Sequence, residues 1–399
     1  MSAISTFLKN TRLAWRVLRD GMRSSRTQRQ LINWMNERSA FRHMSATSFH
    51  TDGDYFISTD QGVFRLFNGK LIRVTQIPAF GIAVRNDDIY LATWTDRESW
   101  VIKGNRKALL TPGMRYEFET LYRIPVRSHS SRVHQISVTD DYLLLANTAR
   151  NTLTKIDRHD GRWIADIAPI RCAYGAPITV DHNHINSVTA LGNVVLFVAF
   201  QIGMRAMIGV CGTGLVRGYA YPNLGVHDVH IVGRRILVSD SYRFNEDDCG
   251  GMLVDAWQPF DRNFFDSSPQ YFVRGLAGIG DEMLIGSSFA GDRKDRFKGE
   301  GSILLANGNR IVNQTNVPSG QIYDIIHTDG RSFIERPELT SFDEICADLQ
   351  ANLGDPVMEM SLEEALVSEK GQQFSDSDRG DVPELFTQAT AETVTRSAA

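Results

Sequence analysis

The feature that most constrains this chain is a pattern that recurs through its middle. A short strand-like run, a polar turn and a second apolar run follow one another again and again. The starts are Phe80-Gly-Ile-Ala-Val84, His134-Gln-Ile-Ser-Val138, His184-Ile-Asn-Ser-Val188, His227-Asp-Val-His-Ile231, Arg274-Gly-Leu-Ala-Gly278 and Tyr323-Asp-Ile-Ile326. Their spacings are 54, 50, 43, 47 and 49 residues. That is the length of a four-stranded propeller blade, and the runs are short, β-branched and aromatic as strands require. Turn residues such as Asp140-Asp141, Gly192-Asn193 and Gly280-Asp281 punctuate them.

The two ends of the repeat complement each other. Residues 53–78 supply three strands without an inner strand, and Tyr323–Ile326 supplies an inner strand with no blade after it. Joining them predicts an all-β, six-bladed β-propeller closed by strands from both termini, which removes exposed edges. The competing count is seven, with Ser45-Ala-Thr-Ser-Phe49 as a further inner strand.

Register then places six residues at one equivalent position: Tyr323, Phe80, His134, His184, His227 and Arg274. Innermost propeller strands line the central channel, so these side chains are expected to converge at one mouth of it. Three imidazoles, His134, His184 and His227, are a donor set suited to divalent zinc, iron or copper. Arg274 suits an anion clamp and Tyr323 an acid or base; these two are the catalytic candidates. His182, two residues from His184 on an extended strand, and Asn186 join Arg274 and Tyr323 as ligand-binding candidates. The expectation is a His-lined axial site for a small polar or anionic ligand, with or without a metal. Metal-dependent hydrolase, lyase or oxygenase chemistry is open to such a site. The competing reading gives the histidines a structural role, held by carboxylates such as Asp181, Asp228, Asp240 and Asp324 or by backbone. His230 falls on the opposite face of its strand. His50, His129, His159 and His327 sit in polar, turn-like stretches and read as solvated.

At these strand starts the chain resembles a family of uncharacterised bacterial propeller proteins, a domain of unknown function. The motifs that carry the resemblance are His134-Gln-Ile-Ser, His184-Ile-Asn-Ser-Val, His227-Asp-Val-His, Arg274-Gly-Leu-Ala and Tyr323-Asp-Ile-Ile, in that order. The resemblance covers roughly residues 50–330 and implies the propeller and the six positions as a set. It implies no activity.

Composition bears on the ends. The chain has 399 residues and a formal net charge of −4, yet the charge is uneven. Residues 1–44 carry nine Lys or Arg against Asp20 and Glu37, while residues 335–399 carry fifteen acidic residues against four basic ones. A near-neutral body argues against a nucleic-acid binder, which presents a basic face on its core. The expected organisation is a basic amphipathic helical segment over 1–44, the β-propeller over 45–336, short helices over 337–367 and a disordered acidic tail over 368–399. Phe7, Leu8, Trp15, Leu18 and Met22 recur near helical spacing among arginines, so the head could pack on the protein, recruit a protein partner or lie on an anionic membrane surface. In that scaffold alternative the propeller and its charged ends do no chemistry. Ser341 to Glu344 and Ser361 to Glu364 are capping-box patterns that start helices.

Four scattered cysteines without a CxxC pair point to a reducing compartment. No apolar run spans a bilayer. A cytoplasmic protein, or one peripheral to a membrane, is the expectation. Glu246-Asp247-Asp248 reads as a wet acidic loop rather than a calcium site. Neither Asn313-Gln-Thr315 nor Cys211-Gly-Thr-Gly214 has the context its motif needs.

Overall fold

A computed structural model of the chain describes residues 44–46, 49, 51, 53–94, 98–112, 114, 116–125, 132–170, 183–202, 205–212, 214–222, 225–245, 248–255, 271–289, 299–307 and 310–367. The basic head up to residue 43, the acidic tail from 368, and His50, His129, Asp181 and His182 lie outside the described residues.

The strands follow the repeat. The first sheet holds β1 (Met44–Ala46), β2 (Tyr55–Thr59), β3 (Gly62–Phe67) and β4 (Lys70–Thr75). Asn68 and Gly69, at φ 47° and 66°, form the two-residue turn between β3 and β4. The second sheet holds β5 (Ile82–Arg85), β6 (Asp88–Trp94), β7 (Glu98–Asn105) and β8 (Phe118–Pro125), with a short helix α1 (Arg106–Leu110) before its last strand. The third runs β9 (Val133–Val138), β10 (Tyr142–Asn147), β11 (Thr152–Asp157) and β12 (Trp163–Ile167). The fourth runs β13 (Ile185–Leu191), β14 (Val194–Ile202), β15 (Arg205–Gly212) and β16 (Leu215–Tyr221). The fifth has β17 (Val226–Val232), β18 (Arg235–Asn245) and β19 (Asp248–Asp255). The sixth has β20 (Tyr271–Ile279), β21 (Glu282–Phe289), β22 (Gly301–Asn307) and β23 (Arg310–Val317). Finally β24 (Ile322–His327) returns to pair antiparallel with β2 and becomes the innermost strand of the first sheet.

The arrangement is a β-propeller. The inner strands β24, β5, β9, β13, β17 and β20 are neighbours in that cyclic order, and β20 returns to β24. Five hydrophobic clusters each draw on two neighbouring sheets, as radial packing requires. The sixth and first sheets, for example, share Leu284, Ile303, Leu305, Tyr55, Ile57 and Phe64. Five sheets have four or five strands; β17–β19 has three among the described residues.

The seventh start is corrected. Met44–Ala46 pairs with β4 on the outer edge of its sheet, so Ser45 and Ala46 lie in an outer strand, not an inner one. The expectation for His327 is also corrected. It is buried in β24, its ring 4.2 Å from that of Tyr55 and its Nε2 3.1 Å from the Gly278 carbonyl. The Thr-Asp-Gly that follows made it look like a turn residue, whereas it still belongs to the closing strand.

After the ring closes, the chain becomes a strap. Helix α2 (Phe342–Leu353) begins in the capping box of Ser341 and Glu344 and lays Phe342, Ile345, Cys346 and Leu349 on the cluster between the fourth and fifth sheets. Strand β25 (Met358–Ser361) then adds to the edge of β16, and a second capping box opens α3 (Leu362–Ala365). Leu366 bridges to Ile167 of the third sheet. No helix among the described residues is long and apolar enough to cross a membrane.

Candidate functional site: the axial mouth

The six equivalent positions lie near the N-terminal ends of their inner strands, from two residues before β5 for Phe80 to the fourth residue of β20 for Arg274. They meet there. Ring centroids lie 4.2 Å apart for Phe80 and Tyr323, 4.8 Å for Phe80 and His134, and 4.7 Å for His134 and His184. The guanidinium of Arg274 donates to Nε2 of His227 at 2.9 Å and lies 5.7 Å from the Tyr323 ring centroid. His184 takes the left-handed conformation, φ 51°, uncommon for a residue other than glycine, and so stores backbone strain beside the site.

These side chains surround a small pocket that is partly open to solvent, lined by Phe80, His134, His227, Arg274 and Tyr323 together with Gln135, Asn186 and Asp228. Of the candidate residues, His134, His227, Arg274, Tyr323 and Asn186 line it; His184 packs against His134 without lining it.

Two histidines are held by one repeated device. Nδ1 of His134 lies 3.0 Å from the Arg132 carbonyl and also meets Thr148 Oγ1, whose hydroxyl donates to the Ile185 carbonyl at 2.7 Å. Nδ1 of His227 lies 2.7 Å from the Gly225 carbonyl and 2.6 Å from Ser241 Oγ, whose hydroxyl donates to the Val273 carbonyl. A carbonyl only accepts, so Nδ1 carries the proton in both rings and Nε2 is a lone pair. Burial, then the His184 and Arg274 charges, hold His134 well below the ordinary imidazole value; burial and then Arg274 do the same for His227. Both rings are therefore neutral near pH 7.

Below the wall sits a second polar tier that the sequence reading did not assign to the pocket. Asp228 Oδ2 accepts from Ser239 Oγ at 2.7 Å and from the Gly275 amide at 2.8 Å, and Asp324 Oδ2 accepts from the Ile82 amide at 3.2 Å. Gln135 Nε2 reaches Asp228 Oδ1 at 3.4 Å, while its Oε1 accepts from Ser187 and from the Val188 amide. Gln135, Asp228 and Asp324 each bridge to the next sheet and belong to alternate sheets of the ring. Burial pushes both carboxyls up, Asp324 well above the usual carboxylate range because the Asp228 charge adds to it. Asp228 and Asp324, two of the carboxylates named as possible histidine partners, thus serve backbone, Ser239 and Gln135, while His134 and His227 lean on carbonyls and hydroxyls. The signal for the second tier was the residue following each ring position, which the repeat register already aligned.

Outside the pocket, Trp94 packs 4.2 Å from Phe80, and the Arg132 guanidinium lies 4.9 Å over Trp94. Of the other described histidines, His230 is lowered to about 4 by burial and its ring packs on Phe333, and His159 is exposed, as expected.

The donor directions bear on the expected metal. Among the described residues no group of three or more His, Cys, Asp or Glu is arranged to hold an ion. The Nε2 lone pair of His227 accepts from Arg274, so a permanent positive charge stands where a metal would bind.

No family model matches the chain, and no curated protein matches it. Solved structures of similar shape include the nidogen/laminin complex, at 9% identity over 68% of this chain and 97% of that one, TM-score 0.46. A putative 6-phosphogluconolactonase from Bacteroides uniformis shows 12% identity over 69% and 99%, TM-score 0.42. The WD40 propeller domain of Doa1 shows 13% identity over 73% and 94%, TM-score 0.40. The fold assignment here rests on the closed ring of inner strands, not on these likenesses.

Proposed function

We propose that this protein is a six-bladed propeller, with β17–β19 as the fifth blade, whose axial pocket binds a small anionic ligand anchored by Arg274. The observation that carries the reading is the pairing of a guanidinium with neutral imidazoles in a confined, part-buried wall. Arg274 brings charge and several N–H donors, and its contact with His227 aims it without cancelling that charge, because the ring is neutral. Flanking Phe272 and Tyr323 rings lie 4.7 Å and 5.7 Å from the guanidinium carbon and reduce its access to water. A carboxylate or phosphate group would meet a poised cation in surroundings where charge-assisted hydrogen bonds are stronger than in water. Tyr323 stands beside this anchor, placed to give or take a proton if the bound ligand reacts.

Isothermal titration of the purified protein with acetate and with inorganic phosphate tests this. The wild type binds at least one of them, and Arg274→Gln weakens that binding by roughly 10- to 100-fold, the worth of a hydrogen bond to a charged group. Equal binding by wild type and variant, both folded by circular dichroism, would remove Arg274 as the anchor.

A further inference from the structure

The pocket also has a side that accepts hydrogen bonds. Asn186 is 3% exposed, and its Nδ2 donates to the Val226 carbonyl at 3.2 Å, which fixes the amide's orientation. Its Oδ1 is buried and has no hydrogen-bond partner among the described residues. Such an acceptor is costly to bury unless something donates to it. His134 supplies a second acceptor. Its Nδ1 proton is directed back at the Arg132 carbonyl and Thr148, so the Nε2 lone pair lies on the other side of a ring that lines the same pocket. This nitrogen also makes no hydrogen bond to a described residue. The low proton affinity of the buried ring keeps it an acceptor.

We infer that the ligand is a compact hydroxy acid, its acid group on Arg274 and its hydroxyl donating to Asn186 Oδ1 or His134 Nε2. This rests on the anion reading above and adds the second half of the ligand. A simple carboxylate would satisfy Arg274 and leave the acceptors to water. Arg274, Asn186 and His134 line one pocket, so a hydroxyl on the carbon next to the acid group comes within its acceptor side. Acceptors opposite a cation also disfavour a second anionic group at that end, because two lone pairs would face its oxygens.

The test compares glycolate, acetate and methoxyacetate on the full-length protein by isothermal titration, with Arg274→Gln, Asn186→Leu and His134→Phe as variants. Glycolate is expected to bind the wild type roughly tenfold tighter than acetate, the usual worth of satisfying one buried acceptor. Methoxyacetate keeps the oxygen but cannot donate, and it loses that advantage. Asn186→Leu and His134→Phe each lower the ratio of glycolate to acetate affinity. The ligand comparison needs no substitution, so a variant that misfolds does not spoil it. Equal affinity for glycolate and acetate, both lost in Arg274→Gln, overturns the hydroxy-acid inference and keeps the anion site. Failure of the wild type to bind any of the three overturns both.

Discussion

At the scale of single residues, the axial mouth is governed by which nitrogen or oxygen points where. His134 and His227 are kept neutral, and the Asp228 and Asp324 carboxyls are pushed up, so acid and base linkages run in opposite directions. Each imidazole has a lowered value in the fold, so below about pH 6.5 the unfolded chain takes up protons that the folded one refuses, and stability falls. Each carboxyl has a raised value, so as pH climbs above about 4 the unfolded chain releases protons that the fold retains, and stability again falls. Asp324→Asn removes one titration of the second kind. Thermal unfolding of variant and wild type from about pH 4 to about pH 8 should show the variant gaining on the wild type as pH rises. A difference that stays flat with pH would mean Asp324 is ionised in the fold. The residue scale is also where the sequence was least informative. The repeat register brought His134, His184, His227, Arg274 and Tyr323 to one mouth. It could not show that Thr148 and Ser241, fourteen residues beyond their histidines, turn Nδ1 away from the axis. Ring direction depends on those neighbours, which are fixed only by the packing of one sheet on the next.

At the scale of strands, the seams between sheets are stitched by short polar side chains. Ser58 donates to the Phe80 carbonyl at 3.0 Å, and Ser288 to the Ile322 carbonyl at 3.0 Å, in the manner of Thr148 and Ser241. Gly275 serves the seam between the sixth and first sheets. Its φ is 76°, and a Cβ there would lie 3.0 Å from the Asp324 backbone while its amide holds Asp228. Gly275→Ala should therefore cost about 1–2 kcal/mol from backbone conformation alone, read as a shift in denaturant unfolding, and more if β24 has to move. Unchanged stability would indicate that β20 relaxes freely there. Strand identity was legible because alternation and turn residues act locally. The outer place of β1 and the buried end of β24 were not, because both are set by pairing with β4 and β2 across long stretches of chain.

At the scale of the whole molecule, the strap is the feature least visible in the repeat. Its capping boxes were readable, since Ser341 with Glu344 and Ser361 with Glu364 are local signals. Its docking was not, because the cluster that receives α2 is assembled from the fourth and fifth sheets and exists only after folding. The strap touches three successive sheets, through α2, β25 and Leu366. Phe342 is fully enclosed at the head of α2. Phe342→Ala should lower unfolding stability by about 3–5 kcal/mol, measured by urea denaturation. A loss below about 1 kcal/mol would mean that α2 rests on the body without supporting it.

The closing pair of β2 and β24 carries an implication for biosynthesis. Tyr323 and Asp324 belong to a strand made after every other part of the ring, and that strand docks on one made almost at the start. A ribosome paused before residue 322 would display nearly complete blades yet no finished binding mouth. The ligand capture proposed above is thus deferred until translation has passed the propeller, and a truncated product, however well its blades fold, begins life without a finished mouth.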